Sequence, residues 1–213
     1  MSLDALDDRT FMKMNDMNVP VSRVMGWIDA AVDAGFTPLK INMVVKRGVN
    51  EHSILPMARL FNRPETILRY IEFMDVGSSN GWRMNDVIPA KEILQQVHRE
   101  MPLEPISPNY PGEVANRFRY HETGNEIGVI ASVTMPFCRG CTRARLSANG
   151  SLYTCLFTAQ GYDLKYVLRS GASDQEITQA IINLWTNRTD RYSELRSEET
   201  VDLPKVEMSF IGG

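Results

Sequence analysis

The chain has 213 residues, of which 43% are hydrophobic, enough for one large domain or two small domains with apolar cores. A formal net charge of −3 with 23% charged residues argues against general binding to nucleic acids or membrane surfaces, and no apolar run is long enough to span a bilayer. Since nothing at the N-terminus is typical of a secretory signal, the expected location is the cytoplasm.

The first part of the chain alternates between predicted helices and strands. Apolar residues recur at helical spacing between Pro20 and Gly35, which are typical of the start and the end of a helix. In chain order, the pattern predicts a helix at 21–34, a strand at 39–45, a helix at 54–61, a strand at 67–74 and a helix from about 89 to 98. This order predicts an α/β fold with a parallel sheet covered on both faces. The sheet is either open or an arc of a (β/α) barrel, and both bind ligands at the carboxyl ends of their strands.

Polar side chains interrupt both predicted strands. Lys40 and Asn42 share one face of the first strand, whereas Arg69 and Glu72 point to opposite faces of the second. Lys40 either extends to water at the edge of the sheet or binds an anion inside a barrel. Glu72 is either a structural partner of Lys40 or Arg69, because buried charges need partners, or a catalytic group. The glycine-rich loop 75–81 follows this strand, in a favoured place for function.

The second half of the chain has a different pattern. Four prolines between 102 and 111 exclude a helix there, and short strands are predicted at 118–120 and 126–132. A capping box at 173–176 predicts the start of a helix that ends near residue 187.

The end of the chain alternates between apolar and polar residues at 206–211, which predicts a docked strand. Gly212 and Gly213 follow it. They are either a frayed end or a segment without side chains that is delivered to a defined place.

The dipeptide Asn149-Gly150 predicts a hairpin. Its strands are predicted at 142–148 and 151–157. A two-residue loop would place Cys155 opposite Ala144. A three-residue loop with Gly150 in the left-handed conformation would place Cys155 opposite Arg143, and this slip changes which side chains share a face.

The three cysteines form the pattern C-x2-C-x13-C at Cys138, Cys141 and Cys155. An odd count without a secretory signal favours a reducing compartment and a thiolate-bound metal. Three thiolates are one fewer than a closed structural site needs, so one metal position would be open to a ligand that is not protein. The basic residues nearby are Arg117, Arg119, Arg139, Arg143 and Arg145. They form either a solvated face or a group that stabilises thiolates and binds an anion.

Several segments of the sequence resemble the GTP 3′,8-cyclases of molybdenum-cofactor biosynthesis, the MoaA family of radical S-adenosylmethionine enzymes. They are VKRGVNE, IEFMDVGSSNGW, YPGEVANRFRY, FCRGCTRARLSANGSLYTCLF and the terminal IGG. The resemblance covers essentially the whole chain. It implies part of a radical S-adenosylmethionine (β/α) barrel at 1–102, followed by a smaller α+β domain at 103–213 that binds GTP and an iron-sulfur cluster.

The resemblance also implies roles for individual residues. Cys138, Cys141 and Cys155 would bind a 4Fe-4S cluster, whose remaining iron would bind the guanine base of GTP. The positions that match GTP contacts of the family are Lys40, Arg69, Arg143, Ala144 and Arg145. Ser2 and Met74 match positions near S-adenosylmethionine. No residue of the chain is expected to be catalytic in its own right, and the complete enzyme is expected to be a homodimer.

The family's N-terminal cluster is bound by C-x3-C-x2-C and reduces S-adenosylmethionine, but no cysteine precedes Cys138. The chain is therefore expected to correspond to the C-terminal part of the enzyme and to be inactive alone. Two alternatives stay open. A non-catalytic zinc-binding or nucleotide-binding module would need a fourth ligand or a water molecule on the zinc, and His52, His98 and His121 do not form a zinc pattern with the cysteines. An inactive fragment would expose an edge strand.

Overall fold

The computed structural model of this chain describes residues 1–197, 200 and 203–211. Contacts divide the chain into two compact units. The first comprises Met1–Met74 and Arg83–Pro136, and the second comprises Asp75–Trp82 and Phe137–Gly213. None of the described helices has the length and the apolar character needed to cross a membrane.

The first unit contains a five-stranded sheet with the order β1-β2-β5-β4-β3. The strands are β1 (Leu39–Val45), β2 (Thr66–Glu72), β3 (Leu103–Ile106), β4 (Asn116–Tyr120) and β5 (Glu126–Ile130). β2 is parallel to both β1 and β5, whereas β4 is antiparallel to β5 and β3. The sheet confirms the α/β fold, but it is mixed because β3, β4 and β5 follow one another without a crossover helix.

Four helices belong to this unit. They are α1 (Asp8–Asn15), α2 (Val21–Asp33), α3 (Ile54–Leu60) and α4 (Ala90–Glu100). α2 begins directly after Pro20, as predicted, and α1 begins after Asp7, whose carboxylate accepts a hydrogen bond from the Thr10 N–H at 2.8 Å. α3 connects the parallel strands β1 and β2, which require such a crossover.

The two faces of the sheet differ in burial. Along β2, residues Leu68 and Tyr70 are buried on one face, whereas Arg69 on the other face is partly exposed. β1 follows the same alternation, with Ile41 buried and Asn42 partly exposed. The prediction of a strand covered on both faces is therefore wrong for β1. The polar groups on the open face remain solvated, which avoids the free-energy cost of burying them.

Residues 1–3 extend the sheet beyond β1. Ser2 forms a parallel bridge with Asn42. The Asn42 N–H donates to the Met1 carbonyl at 2.8 Å, and the Leu3 N–H donates to the Asn42 carbonyl at 2.9 Å. Ser2 is thereby placed in register with the strands.

Between residues 137 and 197, the second unit contains a three-stranded antiparallel sheet and two α-helices. The elements are β6 (Arg145–Leu146), β7 (Ser151–Tyr153), β8 (Tyr162–Asp163), α5 (Leu164–Arg169) and α6 (Asp174–Thr186). α6 begins with the predicted capping box: the Glu176 N–H donates to Ser173 Oγ at 3.3 Å, and the Ser173 N–H donates to Glu176 Oε2 at 2.8 Å.

The hairpin between β6 and β7 has the three-residue loop. Arg145 pairs with Tyr153, the Ser147 N–H donates to the Ser151 carbonyl at 3.0 Å, and Gly150 has φ +85°. Continued beyond the ladder, this register puts Cys155 opposite Arg143. The two-residue loop, with Cys155 opposite Ala144, is excluded.

The described end of the chain forms a 3-10 helix, Met208–Ile211, so the predicted C-terminal strand is wrong. A side-chain contact anchors the preceding residue, because Glu207 Oε1 accepts a hydrogen bond from the Ser78 N–H at 2.9 Å. The alternation of apolar and polar residues at 206–211 therefore does not correspond to pairing in a β-sheet. Gly212 and Gly213 lie outside the described residues.

Candidate functional site

The residues predicted to bind GTP, S-adenosylmethionine or a metal form two groups, one in each unit. The first unit holds Ser2, Lys40, Arg69 and Met74. The second unit holds Cys138, Cys141, Arg143, Ala144, Arg145 and Cys155.

A polar row crosses the open face of the sheet in the first unit. Ser2 is in register with Asn42, and Asn42 is in register with Arg69. Arg69 is next to Gly128 of β5, where a Cβ would lie 3.4 Å from Arg69 Cγ. Paired residues share a face of a sheet, so these side chains line one surface. Lys40 lies two positions before Asn42 on the same face, and it is exposed.

Arg69 is oriented by Asn42, a residue that the predicted site did not include. The Arg69 Nε donates to Asn42 Oδ1 at 2.9 Å. Burial lowers the pKa of Arg69, although the charges of Tyr110 and Glu113 act in the opposite direction. A guanidinium group has five N–H donors, so one bond can fix its plane while others serve a ligand.

Glu72 has a structural role in the first unit. Its side chain is 0% exposed, and it accepts hydrogen bonds from the N–H groups of Ala90 at 2.7 Å and of residues 133–134 at 2.8 Å. The Thr134 hydroxyl donates to it as well. Ala90 is the first residue of α4, and helix N-termini favour carboxylates. The partners of Glu72 are therefore these N–H and hydroxyl donors and not Lys40 or Arg69.

Met74 follows β2 by two residues, at the carboxyl end where ligands of parallel sheets bind. It is partly exposed.

The three thiols of the second unit lie on two segments. Cys138 begins a 3-10 turn, Cys138–Gly140, that Cys141 ends, and Cys155 follows β7 by two residues. All three cysteines are free and partly buried. Among the described residues, no group of three or more cysteine, histidine, aspartate or glutamate side chains is arranged to hold a metal ion. The thiols therefore supply suitable donors without forming a complete ligand geometry.

The electrostatic surroundings of the thiols differ. Burial acts to raise the pKa of Cys141, but the N–H and guanidinium of Arg143 and the charge of Arg188 outweigh it, so the pKa falls below its usual value. Arg143 Nη2 lies 3.7 Å from Cys141 Sγ. Burial raises the pKa of Cys155, and the charges of Asp190 and of the other two thiols act in the same direction. The thiolate is favoured at Cys141 and disfavoured at Cys155.

Arg143 and Arg145 both lie near the thiols. The Arg143 guanidinium is 5.0 Å from the centre of the Phe137 ring. Burial and the charge of Arg143 lower the pKa of Arg145, whereas Cys141 and Cys155 raise it. Ala144, between the two arginines, is exposed. The segment thus combines two cations with two thiols.

The other arginines of the cluster in the sequence have separate places. Arg117 belongs to β4 and binds Glu126 through two nitrogens at 2.7 Å. Arg119 lies 3.7 Å from Glu104. Arg139 has a side chain that is 82% exposed. Arg117 and Arg119 are therefore each paired with a carboxylate of the first unit.

Two residues near the thiols were missed by the sequence analysis. Arg188 Nη2 donates to the Cys141 carbonyl at 2.7 Å, and Asp190 Oδ2 accepts from the Thr154 hydroxyl at 2.5 Å. Arg188 is 47 residues from Cys141 in the chain, and no spacing rule links residues so far apart. A single sequence held no signal for them.

Comparisons with known proteins confirm the resemblance found in the sequence. Residues 66–194 match the family described as Molybdenum Cofactor Synthesis C. The whole chain is 47% identical to a GTP 3′,8-cyclase of Acidothermus cellulolyticus and covers 66% of that protein. It is 41% identical to a GTP 3′,8-cyclase of Staphylococcus haemolyticus, of which it covers 63%, and 44% identical to one of Xanthomonas campestris pv. campestris, of which it covers 62%. The chain spans less than two thirds of the length of these relatives.

Proposed function

Since the chain belongs to the Molybdenum Cofactor Synthesis C family, we propose that it is the part of a GTP 3′,8-cyclase that binds GTP and an iron-sulfur cluster. The proposed reaction joins C3′ of the ribose to C8 of the guanine in GTP. The segment with Cys141, Arg143, Arg145 and Cys155 carries this proposal, because it combines free thiols with arginine cations that suit a nucleotide, and Arg143 Nη2 lies 3.7 Å from Cys141 Sγ.

The finer architecture is part of the proposal. Residues 1–102 would belong to a radical S-adenosylmethionine barrel, and residues 103–213 would form the smaller α+β iron-sulfur domain. The parallel pairing of β1 with β2 and the crossover through α3 support a barrel segment. The complete enzyme is proposed to be a cytoplasmic homodimer.

Cys138, Cys141 and Cys155 would hold a 4Fe-4S cluster. The donor chemistry fits, because thiolates are the usual ligands of such clusters and all three thiols are free. When bound, the cluster would offer one iron without a protein ligand to the base of GTP. Arg143, at 3.7 Å from Cys141 Sγ, would stabilise the thiolate form that ligation needs.

The other residues of the proposed site would bind and orient GTP and S-adenosylmethionine. Arginine forks match the oxygens of phosphate groups, so the triphosphate and ribose would be held by Lys40, Arg69, Arg143 and Arg145, with Ala144 contributing to the same segment. Ser2 and Met74 would contact S-adenosylmethionine. Because the cofactors carry the chemistry, the contribution of the chain is placement.

The test is GTP binding after anaerobic reconstitution with iron and sulfide. Arg143→Lys keeps the charge but loses the fork, so we expect weaker GTP binding by calorimetry. The matched control is Arg139→Lys, whose side chain is 82% exposed and which should bind GTP like the unaltered chain. One zinc without acid-labile sulfide, or equal GTP affinity in both variants, would contradict the proposal.

A further inference from the structure

The turn after α6 connects the two segments that carry the cysteines. The Arg188 guanidinium donates to the Cys141 carbonyl at 2.7 Å through Nη2 and to the Thr154 carbonyl at 3.5 Å through Nη1. Thr154 directly precedes Cys155. One side chain thus spans from the C-x2-C segment to the segment of the third cysteine.

Neighbouring groups fix this contact. The Arg188 guanidinium lies 4.1 Å from the centre of the Trp185 ring, which restricts its plane by cation–π attraction. The Thr154 hydroxyl donates to Asp190 Oδ2 at 2.5 Å, so the segment before Cys155 is held by both Arg188 and Asp190. Hydrogen bonds with a charged partner are about twice as strong as neutral ones.

We propose that Arg188 and Asp190 are positioning residues, which hold the segments of Cys141 and Cys155 at a fixed spacing so that both thiols reach the same cluster. This inference rests on the proposed function. Neither residue is a ligand in it, because both act through the Cys141 and Thr154 backbone or hydroxyl groups.

A lysine cannot replace Arg188 in this role. Its ammonium is a compact point charge on a flexible stem, whereas the guanidinium is a planar fork that reaches two carbonyls at once. Arg188→Lys therefore keeps the local charge and removes the bridge. Residues that orient metal ligands from outside the ligand set typically change metal affinity about 10- to 100-fold when they are lost.

The experiment compares Arg188→Lys, Arg188→Gln and Asp190→Ala with Arg191→Gln. The control removes a cation of the same segment that pairs with Glu194 at a surface position, its side chain being 46% exposed. In metal-free protein, hydrogen exchange by mass spectrometry should rise in both cysteine segments in the two Arg188 variants. In Asp190→Ala it should rise in the segment of Cys155, and in the control it should stay unchanged. In anaerobically reconstituted protein, loss of the cluster to a chelator should be about 10-fold faster or more in the test variants.

The outcomes separate the two proposals. If hydrogen exchange and cluster loss are the same in Arg188→Lys as in the unaltered chain, the positioning role is overturned. If Arg188→Gln fails to fold, Arg188→Lys still provides the test because it keeps the charge. An unaltered chain that takes up no cluster, together with raised exchange in both segments of Arg188→Lys, would overturn the proposed function while supporting the link between the segments.

Discussion

Glu72 shows how one residue holds distant parts of the first unit. Its carboxylate lies at the end of β2 and accepts hydrogen bonds from the start of α4 and from residues 133–134. A fully buried carboxylate is tolerated because these donors replace water. The same position in a sequence looks like a candidate catalytic group, which is why the pattern alone left both roles open.

Replacing Glu72 by alanine should destabilise the first unit strongly. Four donors would lose their acceptor, and each unsatisfied buried group costs about 1–3 kcal/mol, so we expect a loss of at least about 3 kcal/mol in urea unfolding. Glu92→Ala is the control, since Glu92 forms an exposed pair with Arg47, which should contribute less than about 1 kcal/mol. Equal effects of the two changes would contradict the structural role of Glu72.

Asp4 predicts a pH dependence of stability. Burial raises its pKa from 3.8 to about 6, although the hydrogen bond from the Val44 N–H acts in the opposite direction. The folded state therefore binds the proton more tightly than the unfolded state. Its contribution to stability is fully present below about pH 4 and is lost as the pH rises through about 6.

The change Asp4→Asn tests this, because the amide oxygen can still accept from Val44. The variant should be more stable than the unaltered chain by about 2–3 kcal/mol above about pH 7, and the difference should shrink towards zero near about pH 4. Chemical unfolding at both pH values measures the difference in the free energy of unfolding. A difference that is independent of pH would exclude Asp4 as the titrating group.

At the scale of elements, the hairpin between β6 and β7 sets which residues lie opposite Cys155. Asn149-Gly150 predicted a turn from the sequence, but not the length of its loop. The structure selects the longer loop, in which Gly150 has φ +85° and a Cβ would lie 2.6 Å from Lys165 Cβ. In this register α5 packs against the turn, since the Lys165 N–H donates to the Gly150 carbonyl at 3.0 Å, and no local pattern contains that contact.

Gly150→Ala should destabilise the second unit. The left-handed conformation costs a residue with a Cβ about 1–2 kcal/mol, and the contact with Lys165 adds to this. Gly140→Ala is the control, since a Cβ there meets nothing within 4 Å and its φ is not positive. Thermal unfolding should show a clear loss for Gly150→Ala and little change for Gly140→Ala. The reverse order would contradict the hairpin geometry.

For the whole molecule, the sequence predicted most helices and strands of the first unit because their apolar periodicity is local. It missed β3, since Pro105 argues against a strand and only its place at the edge of the sheet makes the proline tolerable. It also missed Asn42 as a partner of Arg69, and Arg188 as a partner of Cys141. These contacts depend on the register of strands or on residues far apart in the chain.

The number of cysteines limits what the chain can do as a whole. With three cysteines, it should take up one 4Fe-4S cluster, or about four iron atoms per chain. The proposal assigns that cluster to GTP, so the reconstituted chain with reductant, S-adenosylmethionine and GTP should form no 5′-deoxyadenosine. Liquid chromatography measures the product, and its appearance would show that radical formation here follows another route.

The order of the strands has a consequence for the chain as it leaves the ribosome. β5 is the last strand of the sheet to be synthesised, yet it lies between β2 and β4. Until it emerges, β2 presents an unpaired edge and the hairpin of β3 and β4 has no sheet to join. Arrested chains that expose residues up to 120 should therefore be digested by protease, whereas chains that expose 136 should resist. Resistance at the shorter length would contradict this. The strand that is synthesised last therefore completes the sheet at its centre.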